Sequence, residues 1–85
     1  MKAQQTFENK SKHPISVTFE PVCNYCLLQP GDWLTLIYGV PNTGDALKLI
    51  FHGPNCLWIY PDSRLEYEVL VNGLLSEDLS WKFKG

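Results

Sequence analysis

The sequence predicts an all-β fold: a single-domain antiparallel β-sandwich of Greek-key type, with seven or eight short strands within residues 1–85. Three observations lead there. Turn-forming residues recur at short intervals, at Pro14, Pro21, Pro30-Gly31, Gly39 to Gly44, Gly53-Pro54, Pro61 and Asn72-Gly73. They cut the chain into pieces of about 5–10 residues, the spacing of strands in sandwiches and barrels. Several pieces alternate apolar and polar residues with period two, the pattern of a strand with one wet face. No uninterrupted segment suits a long helix.

Taken in order, Ile15, Val17 and Phe19 oppose Ser16, Thr18 and Glu20, so the first clear strand runs up to Pro21. A break follows, then a short strand from Tyr25 that ends in the tight turn Pro30-Gly31-Asp32. Trp33 to Tyr38 and Leu47 to Phe51 alternate less cleanly, which suits central strands covered on both faces, or strands whose second face meets a partner. Cys56 to Tyr60 is apolar throughout and begins just after His52-Gly-Pro-Asn55, so Leu47 to Tyr60 reads as a hairpin with a three-residue loop. Leu65, Tyr67, Val69 and Val71 oppose Glu66 and Glu68, and Asn72-Gly73 marks a two-residue hairpin turn between Val71 and Leu74. Ser76 to Leu79 reads as a connector. Leu79, Trp81 and Phe83 then alternate with Ser80, Lys82 and Lys84 in a final strand whose lysines would blunt an exposed edge.

Composition narrows the function. The chain is 45% apolar and only 19% charged, too rich in Val, Ile, Leu, Phe and Trp for a disordered tail. A net charge of -2, with basic residues spread singly and Arg64 the sole arginine, supplies no phosphate-binding patch, so nucleic acid is excluded as a partner. The acidic residues are scattered too and form neither a tail nor a calcium loop. The first ten residues lack the apolar run of a signal peptide, and nothing approaches the roughly 20 apolar residues of a membrane span. A cytoplasmic protein without membrane contact is expected. Three cysteines, an odd number, point to reduced thiols or thiolate ligands and away from a disulfide framework.

Phe7-Glu-Asn-Lys-Ser-Lys-His-Pro-Ile15, Glu20-Pro21, Tyr25 and Leu27 leading into Pro30-Gly31-Asp32, and Val71-Asn-Gly73 together resemble small bacterial β-sandwich proteins of uncharacterised function. Those carry an Asn-x-Ser-x-x-Pro segment followed by Ile or Leu, a Glu-Pro pair, and a Tyr-x-Leu segment before Pro-Gly and an acidic residue. The likeness spans about half the chain and consists of turn chemistry, so it implies a fold and no catalytic residue. The thiol of Val22-Cys-Asn24 departs from that pattern.

Two residue sets carry chemical possibilities. Cys23 and Cys26, spaced Cys-x-x-Cys, with His52 and Cys56 flanking the predicted three-residue loop, supply the four ligands of a structural zinc site. Against this, residues three apart on an extended chain point to opposite faces, and free cysteine packs readily as a small buried hydrophobe. A blue-copper set from His13, His52, Cys56 and Met1 fails on spacing, because Cys56 is followed by Leu-Trp-Ile-Tyr with no further ligand. Catalysis is not expected. Cys56 and His52 have no specified orienting partner, no nucleophile elbow is present, and Glu66 with Glu68 reads as a solvated strand face.

The second set is aromatic. Three Trp and four Tyr are many large rings for one small core, so some must reach the surface, where they bury large area with few torsions. Trp33, Tyr38, Trp58 and Tyr60 are the candidate interaction surface, with the loop Gly39 to Gly44 as a natural rim. The expectation is a non-catalytic binding or protein-interaction module without a cofactor, whose partner is another protein or a second copy joined through an uncovered apolar strand such as Trp33 to Tyr38. The alternative is a small metal-binding protein whose structural zinc is held by Cys23, Cys26, His52 and Cys56.

Overall fold

A computed structural model describes residues 2–20, 24–40, 47–61 and 66–81. Eight strands form two four-stranded sheets, and no helix occurs among the described residues. They are β1 (Lys2–Glu8), β2 (Ile15–Phe19), β3 (Asn24–Leu28), β4 (Trp33–Gly39), β5 (Leu47–Phe51), β6 (Cys56–Pro61), β7 (Tyr67–Val71) and β8 (Leu74–Trp81). The first sheet has the order β1-β4-β7-β8, the second β3-β2-β6-β5. Every pairing is antiparallel except β2 with β6, which is parallel.

The order follows from two equivalent excursions. β4 returns to lie beside β1 after the β2–β3 hairpin has crossed to the other sheet, and β7 returns to lie beside β4 after the β5–β6 hairpin has done the same. A return beside an earlier strand after a hairpin is the Greek-key move, here made across two layers. The parallel β2/β6 pair results, because the two hairpins meet side by side in the second sheet.

The period-two pattern places the core. Val17 and Phe19 on β2, Leu34 and Leu36 on β4, Ile59 on β6 and Val69 on β7 all face inward and are essentially sealed. Phe19 and Tyr67 stack across the two layers with ring centroids 6.1 Å apart. Both hairpin turns form as the sequence predicts. Asn72 (φ 53°) and Gly73 (φ 83°) are both left-handed, as a type I′ turn requires, and His52 N–H closes the β5–β6 hairpin by donating to the Cys56 carbonyl at 2.9 Å.

Four features differ from the sequence expectation. β1 forms although Lys2 to Glu8 offers only Ala3 and Phe7 as apolar inward positions. Ser76 to Leu79 belongs to β8 and is not a connector; the strand carries a bulge there, and residues 82–85 lie outside the described ones. β4 is paired on both sides, so Trp33 to Tyr38 offers no edge for self-association. β5, apolar enough to suggest a central strand, is instead at the edge of its sheet. No helix among the described residues is long and apolar enough to cross a membrane.

Candidate interaction surface

One end of the sandwich is locked by turn residues. Gln29-Pro30-Gly31-Asp32 closes with an Asp32 N–H to Gln29 carbonyl bond of 2.9 Å, with Gly31 at φ 91°. Proline second and a left-handed glycine third are the requirements of a type II turn. Asn9, only 1% exposed, joins this turn to the β1–β2 loop. Its Nδ2 donates to the carbonyls of His13 and Leu28, its Oδ1 accepts from Ser11 N–H, and its backbone exchanges bonds with Gly31 and Asp32. Asp32 then accepts from Asn72 Nδ2, and Asn72 Oδ1 accepts from Trp33 N–H. The polar groups of Asn9 and Asn72 are thus engaged within this lock, which is structural.

Of the four candidate metal ligands, the three that are described are not all brought together. Cys26 lies opposite the inward-facing Val17 and packs against the core, whereas Cys56 lies opposite Ser16, on the other face of the same sheet. β2 runs between them, so their backbones are two strand spacings apart, roughly 9–10 Å. Both thiols therefore cannot bind one ion in this arrangement. His52 is exposed and turns its ring onto Trp58, with centroids 4.2 Å apart. Cys23 lies outside the described residues, among which no group of three or more metal-type ligands occurs. Burial, reinforced by the charge of Asp32, pushes the Cys26 thiol above its ordinary pKa and holds it protonated, the state of a packed and unreactive thiol.

The four candidate interaction aromatics divide three ways. Tyr38 faces inward and is 9% exposed, so it belongs to the core. Trp33 points outward from the first sheet, beside Glu8 and against the Asn72 turn. Trp58 and Tyr60 stand on the outer face of the second sheet with centroids 6.4 Å apart.

Register completes that face with residues the sequence did not single out. Thr18 pairs with both Tyr25 and Trp58, and Trp58 pairs with Ile50, so Tyr25, Thr18, Trp58 and Ile50 form one row across all four strands. The adjoining row runs Leu27, Ser16, Cys56, with His52 bonded beyond it. On the other side Tyr60 lies opposite Lys48. Tyr25 is 68% exposed and Leu27 51%, while Trp58, Tyr60 and Ile50 are half-buried against their neighbours. The only signal for Tyr25, Leu27 and Ile50 in the sequence is their strand parity, which assigns a face only once strand order is known.

A small pocket of about 190 Å³ opens between the sheets near the Phe51 end of β5, lined by Phe7, Ile15, Val17, Leu28 and Leu57 among others. Its volume suits a single aromatic ring and its walls are apolar. No family model, curated protein or solved structure matches the chain.

Proposed function

We propose that the protein is a non-catalytic binding module and that the outer face of the second sheet is where a partner protein docks. The observation that carries this reading is the in-register row of Tyr25, Thr18, Trp58 and Ile50, flanked by Leu27, Tyr60 and the His52–Trp58 pair. No other described strand covers it. A wet sheet face in a sandwich is ordinarily polar, so aromatic and aliphatic side chains filling neighbouring rows are an apolar patch, and such patches mark interaction sites. Tyr and Trp are effective there because their rings desolvate much area at small conformational cost. Thr18 and Ser16 between the rings supply the polar contacts that orient a partner.

The test compares wild type with Trp58→Ala and Tyr25→Ala in affinity capture, followed by titration of the captured protein in purified form. Each variant is expected to keep the cooperative unfolding of the wild type and to weaken association at least tenfold, a central aromatic contact being worth about 2 kcal/mol or more. Unchanged affinity in both folded variants would remove this face as the site.

A further inference from the structure

We propose that the edge of β5 that has no neighbour among the described strands pairs with β5 of a second copy, antiparallel and centred on Leu49, joining two second sheets into one continuous eight-stranded sheet. This does not depend on the outer face binding a partner.

The backbone states which groups are open. Ile59 carbonyl, on β6, accepts from Glu20 N–H on the β2 side, and Cys56 carbonyl accepts from His52 N–H on the β5 side. Backbone groups alternate along a strand, so Cys56, Trp58 and Tyr60 bond toward β5, and their opposites His52, Ile50 and Lys48 bond toward β6. Leu47, Leu49 and Phe51 therefore aim their N–H and C=O groups at the open edge. Leu47 lying opposite Pro61, which has no N–H to offer, agrees with this assignment.

Those groups call for another strand, and the side chains select which one. Antiparallel pairing centred on Leu49 sets Leu49 against its own copy and Leu47 against Phe51 of the second copy, so all three open residues of each chain form hydrogen-bonded pairs. Lys48 then lies opposite Ile50 of the second copy, with no like charges directly across. Centring on Lys48 instead sets two ammonium groups face to face, and centring on Ile50 pairs Leu49 with Phe51 but carries Leu47 past the end of the partner strand, leaving its open groups unused.

The exposed side chains follow the same logic. Phe51 is 71% exposed and Leu49 40%, although both point to the inner side of their sheet. Pairing sets each against an aliphatic or aromatic partner and removes it from water.

The other edges are guarded. β1 carries Lys2, Gln4, Gln5, Thr6 and Glu8; β8 has its bulge together with Glu77 and Asp78; and β3 leans on β8, where Asn24 Nδ2 donates to the Asp78 carbonyl at 3.0 Å. β5 has a single lysine, no proline and no bulge, which are the usual protections of an edge. A five-residue strand pair lies at the small end of interfaces, under about 1,200 Å² in total, so the association is reversible and concentration-dependent.

The experiment is sedimentation velocity across a wide concentration range, with hydrogen exchange read residue by residue at both extremes, on wild type, L49P and L49K. L49P removes only an N–H aimed at the edge, so the sheet's own bonds survive, and thermal unfolding verifies that both variants fold. Wild type is expected to shift from one chain to two as concentration rises, with the Leu47, Leu49 and Phe51 amides gaining protection while Lys48 and Ile50 are protected throughout. Both variants are expected to remain single chains. A wild type that stays one chain at the highest concentration, a mass beyond two chains, or a dimer unaffected in a folded variant would each overturn the proposal.

Discussion

Asn9 is the one buried polar side chain among the described residues, and it ties the β1–β2 loop to the Pro30-Gly31 turn. Its amide is sealed from water, and its two hydrogen-bonding ends are fixed by what surrounds them, two carbonyls on Nδ2 and the Ser11 groups on Oδ1. Asn9→Ala leaves the buried Leu28 carbonyl without its donor and is expected to cost about 3 kcal/mol. Asn9→Asp, nearly the same in shape, replaces a donor facing two carbonyls by an acceptor and should be at least as damaging; urea denaturation of both variants measures the order. Tyr38 and Trp58 make a second contrast. Tyr38→Ala opens the core and should cost about 3–4 kcal/mol, whereas Trp58→Ala on the outer face is expected to cost about 1–2 kcal/mol, close to the ordinary range for a substitution. Equal losses by thermal unfolding would place Trp58 in the fold and not on a recognition face.

At the scale of elements, β8 shows how one side chain rescues a broken ladder. The register slips between Tyr67 and Val69, and Ser80 Oγ bridges the slip, accepting the Val69 N–H at 2.9 Å and donating to the carbonyl of Ser76, opposite Val69, at 2.6 Å. Ser80→Ala is expected to cost about 1–3 kcal/mol, the usual price of orphaning a buried donor, and to speed hydrogen exchange at the Val69 amide while leaving Val71 unchanged. An unaltered Val69 exchange rate would show that another group closes the bulge. β1 and β5 expose the limits of pattern reading from opposite sides. β1 is a strand because β4 offers it a ladder and Phe7 a seat beside the core, though its own residues barely alternate. β5 reads as central because apolar residues occupy both of its faces, yet one of its edges has no neighbour among the described strands.

For the molecule as a whole, the half-buried Cys26 and the buried Tyr67 contribute to the response to alkali. Burial raises both pKa values, with the charge of Asp32 adding to the effect at Cys26. The folded protein therefore holds these protons where the unfolded chain has released them, so stability falls with rising pH. That contribution is complete below the ordinary thiol value of 9.0 and is lost as pH climbs through the raised values. Urea midpoints taken at about pH 8 and about pH 10 are expected to fall, and Cys26→Ala should fall less, since its share of the proton linkage is gone. An equal fall in wild type and Cys26→Ala would assign the effect to other groups.

What the sequence determined by itself was local. Period-two alternation and turn chemistry are properties of neighbouring residues, and they sufficed for an all-β chain, for the Asn72-Gly73 and Gly53-Pro54-Asn55 turns, and for the inward faces of β2 and β7. Only the tertiary structure decided what depends on which strands lie side by side. Parity says that Cys26 and Cys56 each sit on some face, but the β3-β2-β6 order is what sets them on opposite faces. Tyr25 and Ile50 share a row with Trp58 because Thr18 on β2 pairs with Trp58 on β6, 40 residues further along the chain (58 − 18), and such pairing is a non-local event that no short window of residues encodes.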